Sequence, residues 1–125
     1  MTRSPVLLVE DDSDSSEALV LLLGIQGFPV VTVGDGEEAL NALRGGLRPC
    51  VVVLDLYLPG VDGFHVLSQM KTVPAWAGIP IIVVSGRDEP PEEMAEHLGI
   101  PVDHCFSKPS DPDELARMIA QHCGN

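Results

Sequence analysis

The sequence predicts a doubly wound α/β domain with a five-stranded parallel sheet and five helices. Short apolar runs rich in β-branched residues alternate along the chain with segments of helical periodicity. Several of these runs stop abruptly at an acidic or polar residue, as strands do when they reach the edge of a buried sheet. Right-handed crossovers then bring the carboxyl ends of all the strands to one edge.

The first two strands are predicted at Val6–Val9, which is short and wholly apolar, and at Pro29–Val33. A helix is predicted between them, and Ser13 or Asp14 can be its N-cap, because their side chains accept hydrogen bonds from free backbone N–H groups. Gly27 stands where a helix commonly ends in a left-handed residue.

A short helix is predicted over Glu37–Leu43, after a loop at residues 34–36 and before the glycines at 45 and 46. The third strand, Val51–Leu54, is apolar without alternation, which is typical of a strand buried on both faces. It ends at Asp55, and an acid at the end of a buried strand is a costly place for a charge. The following helix carries apolar residues from Phe64 to Met70 and stops near Pro74.

The fourth strand is predicted at Ile79–Val84 and ends at Ser85, and a poorer fifth strand covers Val102–Phe106. Two prolines at 90 and 91 suit the start of a short helix that ends near Gly99. The last helix opens at Asp111 with acidic residues in its first turn, where the helix dipole favours them.

Composition limits the classes of function. A chain of 125 residues with 45% hydrophobic residues suits one packed domain over residues 1–125, with no output domain. No apolar run has the length of a membrane span and the N-terminus lacks a signal peptide's apolar stretch, so we expect a cytoplasmic protein that does not bind membranes. The net charge of −12 argues against direct binding to nucleic acid or anionic lipid.

The cysteines Cys50, Cys105 and Cys123 are odd in number and lack the spacing of metal ligands. In a cytoplasmic protein this pattern predicts reduced thiols that fill core or surface positions.

Five polar side chains fall at predicted strand ends: Glu10, Asp11, Asp55, Ser85 and Lys108. They converge if the first, third, fourth and fifth strands are neighbours. Clustered carboxylates suit a hard divalent cation, most simply Mg²⁺. The lysine and the hydroxyl suit phosphate oxygens. Together these groups favour transfer of a phosphoryl group onto or off a carboxylate.

The chain closely resembles the receiver domain of two-component response regulators from about Val6 to Cys123. Four pieces carry the resemblance: Val-Glu-Asp-Asp at 9–12, Asp-Leu-Tyr-Leu-Pro-Gly-Val-Asp-Gly at 55–63, Val-Ser-Gly at 84–86 and Lys-Pro at 108–109. It implies a flavodoxin-like fold with strand order 2-1-3-4-5.

The resemblance also implies roles for the residues at the strand ends. Asp55 would be the phosphoacceptor, with Ser85 as the hydroxyl of the switch and Lys108 as the phosphate-binding cation. Mg²⁺ would be bound by Glu10, Asp11, Asp55 and the backbone carbonyl of Tyr57, whereas Asp12 points elsewhere.

A histidine kinase or histidine phosphotransfer protein would be the phosphoryl donor, and an unnamed effector would be the downstream partner. The domain would not be an enzyme, although it would assist its own phosphorylation and dephosphorylation. Phosphorylation would change the surface of helix four, strand five and helix five, in a monomer or a phosphorylation-dependent dimer.

Three alternatives compete with this interpretation. A phosphatase of the haloacid dehalogenase type needs an acid two residues after its nucleophile, where this chain has Tyr57. A flavodoxin-like electron carrier needs a phosphate-binding loop after the first strand, where this chain has acids. A degenerate receiver that binds partners without phosphorylation stays open, because Cys105 stands where receivers usually carry a switch aromatic.

Overall fold

The computed structural model describes residues 4–10, 13–55, 63–85, 104–107 and 112–123. These residues contain five strands: β1 Val6–Val9, β2 Val30–Val33, β3 Val51–Asp55, β4 Ile81–Ser85 and β5 His104–Ser107. They also contain four helices: α1 Ser13–Ile25, α2 Gly36–Arg44, α3 Gly63–Thr72 and the C-terminal helix Pro112–Cys123.

All strand pairs are parallel, and the strands lie in the order β2-β1-β3-β4-β5. The predicted fold class and strand order are therefore confirmed. β3 lies at the centre, between β1 and β4, which explains why its sequence is uniformly apolar before Asp55. The helix predicted between Pro90 and Gly99 lies outside the described residues.

Two apolar layers cover the sheet, one on each face. Alternate strand residues such as Leu7 and Leu54 pack with α2 and α3, while Leu8 and Val53 pack with α1 and the C-terminal helix. This division follows from the two-residue period of side chains along a strand. Because both faces are covered, the polar groups of the sheet are left to its edges, and the carboxyl edge is one of them.

Two glycines end helices as their positions predict. Gly27 has φ of +86°, and after it the N–H of Phe28 donates to the carbonyl of Leu23 at 2.9 Å. Gly46 has φ of +106° and ends α2 in the same way, with the N–H of Leu47 donating to the carbonyl of Ala42 at 3.1 Å. Both are Schellman ends, which satisfy carbonyls that the helix leaves open.

The start of α2 differs from the predicted loop. Asp35 is the N-cap and accepts a hydrogen bond from the N–H of Glu38 at 2.8 Å, while the Glu38 carboxylate accepts one from the N–H of Gly34 at 2.7 Å. Gly36 is therefore the first helical residue. Acids three residues apart were the local signal for this reciprocal cap.

Helix α1 is apolar on more than its buried side. Leu19 and Leu23 are in the core, whereas Leu21 and Ile25 are 68% and 83% exposed.

Of the helices in the described ranges, none is long and apolar enough to cross a bilayer.

The prediction that all the cysteines are reduced thiols is wrong for two of them. Cys50 and Cys123 form a disulfide, although 73 residues separate them in the sequence. The fold brings them together because Cys50 comes directly before β3 and Cys123 is the last residue of the C-terminal helix. Spacing along the chain carries no information about such a pair, which only the packing of helix on sheet creates.

Candidate functional site

The carboxyl ends of β1 and β3 place two acids side by side. Val9 pairs with Leu54 in the parallel register, so Glu10 and Asp55 occupy the next positions of neighbouring strands. The N–H of Glu10 donates to the carbonyl of Val33 at 3.0 Å, which keeps this backbone along the sheet beyond the end of β1. Neighbouring strands lie about 4.8 Å apart. The two acids therefore lie about one strand spacing apart, at the same edge of the sheet.

Asp55 is buried, with only 5% of its surface exposed. Among the residues that the structure describes, it is the single buried side chain that is charged or polar. Removing a carboxylate from water is costly unless other groups stabilise its charge. The central strand is thus apolar up to its last residue, which is a carboxylate that can bind a cation or act as a nucleophile.

β4 and β5 extend the same edge. Asp55 pairs with Val84, so Ser85 lies one position beyond Asp55 on the adjacent strand. Ser85 pairs with Ser107 in β5, and Lys108 follows Ser107 in the sequence. Because β1, β3, β4 and β5 are successive neighbours, the condition for convergence of the predicted site is met.

Several predicted site residues are not part of the described structure. Asp11, Asp12, Tyr57 and Lys108 lie outside it, and for Ser85 it describes the backbone alone. The roles predicted for these side chains therefore stay predictions.

The sequence matches the family of response regulator receiver domains over residues 6–120. The chain belongs to this family. Receiver domains are the signalling domains of two-component response regulators, and the flavodoxin-like fold described above is theirs.

Relatives and solved structures agree with this assignment. The DNA-binding response regulator MtrA of Mycobacterium tuberculosis is 34% identical over 119 residues, which are 94% of this chain and 49% of MtrA. The chain thus spans about half the length of this relative.

Two crystal structures of response regulators resemble the receiver domain over nearly its whole length. The phosphorylated cyanobacterial phytochrome response regulator RcpA has a TM-score of 0.79 and 28% identity, covering 95% of this chain and 90% of its own. The Mn²⁺-bound form of response regulator Rcp1 has a TM-score of 0.78 and 25% identity, covering 94% and 90%.

The two predicted metal-binding acids that the structure describes suit a divalent cation. Glu10 is half-buried beside the buried Asp55, and two neighbouring acids are the oxygen ligands that a hard cation prefers. Within the described ranges no group of three or more potential ligands is found, and the third predicted acid, Asp11, is not among those residues.

Sequence reasoning missed the pairing of Cys50 with Cys123. The assignment of elements places both residues at the amino edge of the sheet, but only the packing of the C-terminal helix on the sheet brings them within bonding distance. Cys50 precedes the first residue of a strand, and Cys123 ends a helix that runs back from the carboxyl edge. In an α/β fold those two positions face the same end of the domain.

Proposed function

We propose that this receiver domain is a phosphoacceptor switch in which Asp55 takes a phosphoryl group from a phosphohistidine partner. The observation that carries the proposal is the buried carboxylate of Asp55 at the carboxyl edge of the central strand. Ligands of open α/β sheets bind at that edge. The phosphorylated state of the similar protein RcpA supports the proposal.

In the proposed reaction a carboxylate oxygen of Asp55 attacks the phosphorus of the phosphohistidine. The new O–P bond makes an acyl phosphate, and the P–N bond breaks, which returns a neutral imidazole to the partner after proton uptake. The surrounding residues mainly position the donor and neutralise the charge of the phosphoryl oxygens. Lys108 supplies a compact positive charge for one of these oxygens, and Ser85 donates a hydrogen bond to another.

Mg²⁺ would be held by Glu10, Asp11, Asp55 and the backbone carbonyl of Tyr57, with Glu10 acting as the outer acid. When bound, the cation neutralises negative charge on the phosphoryl group. The Mn²⁺-bound form of the similar protein Rcp1 supports a divalent cation in this fold.

The partner would be a histidine kinase or a histidine phosphotransfer protein in the cytoplasm. Residues 1–125 would form one receiver domain, and its switching surface would include β5 and the C-terminal helix. MtrA is a DNA-binding protein about twice as long as this chain. The charge of −12 disfavours direct DNA contact by the receiver domain itself, so any such output would need another part or another protein.

Incubation with acetyl phosphate and Mg²⁺, followed by intact mass measurement, tests the proposal. The wild type should gain the mass of one phosphoryl group. Asp55→Asn should gain none, because a neutral amide is a much weaker nucleophile than a carboxylate. Asp113→Asn makes the same chemical change at an exposed position of the C-terminal helix and should be labelled like the wild type. Equal labelling of Asp55→Asn would overturn the proposal and favour a degenerate receiver.

A titration with Mg²⁺ tests the metal site separately. Amide chemical shifts should change around Asp55 and Glu10, and Glu10→Gln should raise the concentration of Mg²⁺ needed for saturation because it removes one charge. Glu17→Gln removes a charge from the exposed side of α1 and should leave the titration unchanged. Shift changes centred elsewhere would contradict the metal assignment.

A further inference from the structure

The disulfide between Cys50 and Cys123 lies at the end of β3 that is opposite to Asp55. Its two Cα atoms are 5.3 Å apart, inside the range of about 4.4–6.8 Å that a disulfide needs. Cys50 is half-buried and Cys123 is 8% exposed. Five residue steps along β3 separate Cys50 from Asp55, or about 17 Å. The bridge is therefore outside the proposed phosphorylation site.

The surroundings of Cys50 accommodate the reduced state as well. Its sulfur lies 3.4 Å from the carbonyl oxygen of Ser4 and 3.6 Å from that of Pro5. A disulfide sulfur has no proton to donate, whereas a free thiol at Cys50 can donate to either carbonyl. Because the N–H of Cys50 also donates to the carbonyl of Pro5 at 3.0 Å, the backbone around the sulfur is held whether or not the bridge is present.

The third cysteine is too far away to compete. Cys105 lies in β5, level with Val83 and hence with Leu54, two strands away from β3. The Cα of Cys105 is therefore about 10 Å from Leu54 across the sheet, and Leu54 is about 13 Å from Cys50 along β3. Cys50 and Cys123 are therefore the two cysteines that lie close enough to form a disulfide within the domain.

We propose that Cys50 and Cys123 are a reversible redox-modification site whose co-reactant is a small disulfide of the glutathione type. The more exposed Cys50 thiolate attacks the small disulfide, which forms a mixed disulfide and releases one small thiol. Cys123 then attacks the sulfur of Cys50, closes the protein disulfide and releases the second small thiol. Two protein thiols are oxidised, one small disulfide is reduced to two thiols, and the protons pass to those thiols.

The bridge controls the last turn of the C-terminal helix. Leu115, Ala116 and Ile119 anchor the rest of this helix by apolar burial, and Cys123 is one turn beyond Ile119. Oxidation adds a covalent bond from this turn to the start of the central strand. Reduction removes this covalent bond, and the ends of helices are among the segments that open most readily. This inference does not require that Asp55 accept a phosphoryl group.

Equilibration in mixtures of reduced and oxidised glutathione, followed by alkylation and mass measurement, tests the chemistry. The wild type and Cys105→Ser should each lose two alkylated thiols as the mixture becomes oxidising, and regain them when it becomes reducing. Cys50→Ser and Cys123→Ser should form no intramolecular bridge. The proposal is wrong if peptide mapping finds no Cys50–Cys123 bridge, or if the bridge persists in an excess of reduced glutathione.

Amide hydrogen exchange tests whether the bridge holds the last turn of the C-terminal helix. Oxidation should slow exchange several-fold over the last turn of the C-terminal helix in the wild type and Cys105→Ser, and should leave the exchange of Cys50→Ser unchanged. Equal exchange in the oxidised and reduced wild type would overturn the proposed control of this turn. Phosphoryl labelling of Asp55 in each sample reports on the proposed function independently.

Discussion

The two ends of β3 solve different physical problems. At its amino end the chain is tied down, by the Cys50–Cys123 disulfide and by the Arg48 guanidinium, which donates to the carbonyl of Leu43 at 3.1 Å. At its carboxyl end the same strand stops at Asp55, a buried carboxylate next to Glu10. The comparison teaches that one edge of this sheet supplies stability while the other holds charges that are costly to bury.

Removing the disulfide is expected to have the largest effect on stability. The double variant Cys50→Ser/Cys123→Ser should lose about 2–4 kcal/mol of unfolding free energy, because the unfolded chain is no longer closed into a loop. For a domain of this size that lowers Tm by roughly 10 °C. Calorimetry checks this value.

Reduced wild type is the control for that variant, since it lacks the bridge without any change of sequence. It should melt near the double variant and well below the oxidised protein. Phosphoryl labelling of Asp55 should survive in both, because the site is at the other edge. Loss of labelling together with the bridge would show that the two edges are not independent.

Gly46 offers a smaller test at the amino edge, where α2 turns towards β3. An alanine there has open space around its Cβ but must adopt φ of +106°. Gly46→Ala should therefore cost about 1–2 kcal/mol, the strain of a left-handed conformation for a residue with a side chain. Urea denaturation measures the change.

Gly24→Ala is the matched control, because its Cβ also meets no atom within 4 Å but the residue lies inside α1. It should stabilise the domain by about 0.5–1 kcal/mol through helix propensity. If both variants change the free energy of unfolding in the same direction, the left-handed backbone conformation is not the reason for a glycine at position 46.

The smallest predicted loss of stability is at the carboxyl edge, at the start of α2. Asp35→Ala removes the side chain that accepts from the N–H of Glu38 and should cost about 1 kcal/mol, whereas Asp35→Asn should keep most of the stability. Denaturant titration compares them. An equal loss in both variants would mean that charge, rather than the capping hydrogen bond, stabilises this helix start.

Local chemistry predicted much of the molecule correctly. Glycines at 27 and 46 end helices because their left-handed backbone is sterically open to them, and that preference is visible in the sequence. The apolar run before Asp55 likewise identified the central strand, since only a strand covered on both faces lacks alternation. Boundaries moved by a residue or two: β4 runs Ile81–Ser85 rather than from Ile79, because Pro80 lacks an N–H for the sheet.

The sequence by itself thus determined how strands and helices alternate along the chain. It also determined that Asp55 ends a buried strand. Short-range periodicity, turn residues and the cost of a buried charge are sufficient for this. The tertiary structure alone decided that Glu10 and Asp55 are neighbours in register and that Cys50 meets Cys123 across 73 residues. Those relations depend on how strands pair and helices pack at long range, and a disulfide forms only where two Cα atoms come within bonding reach.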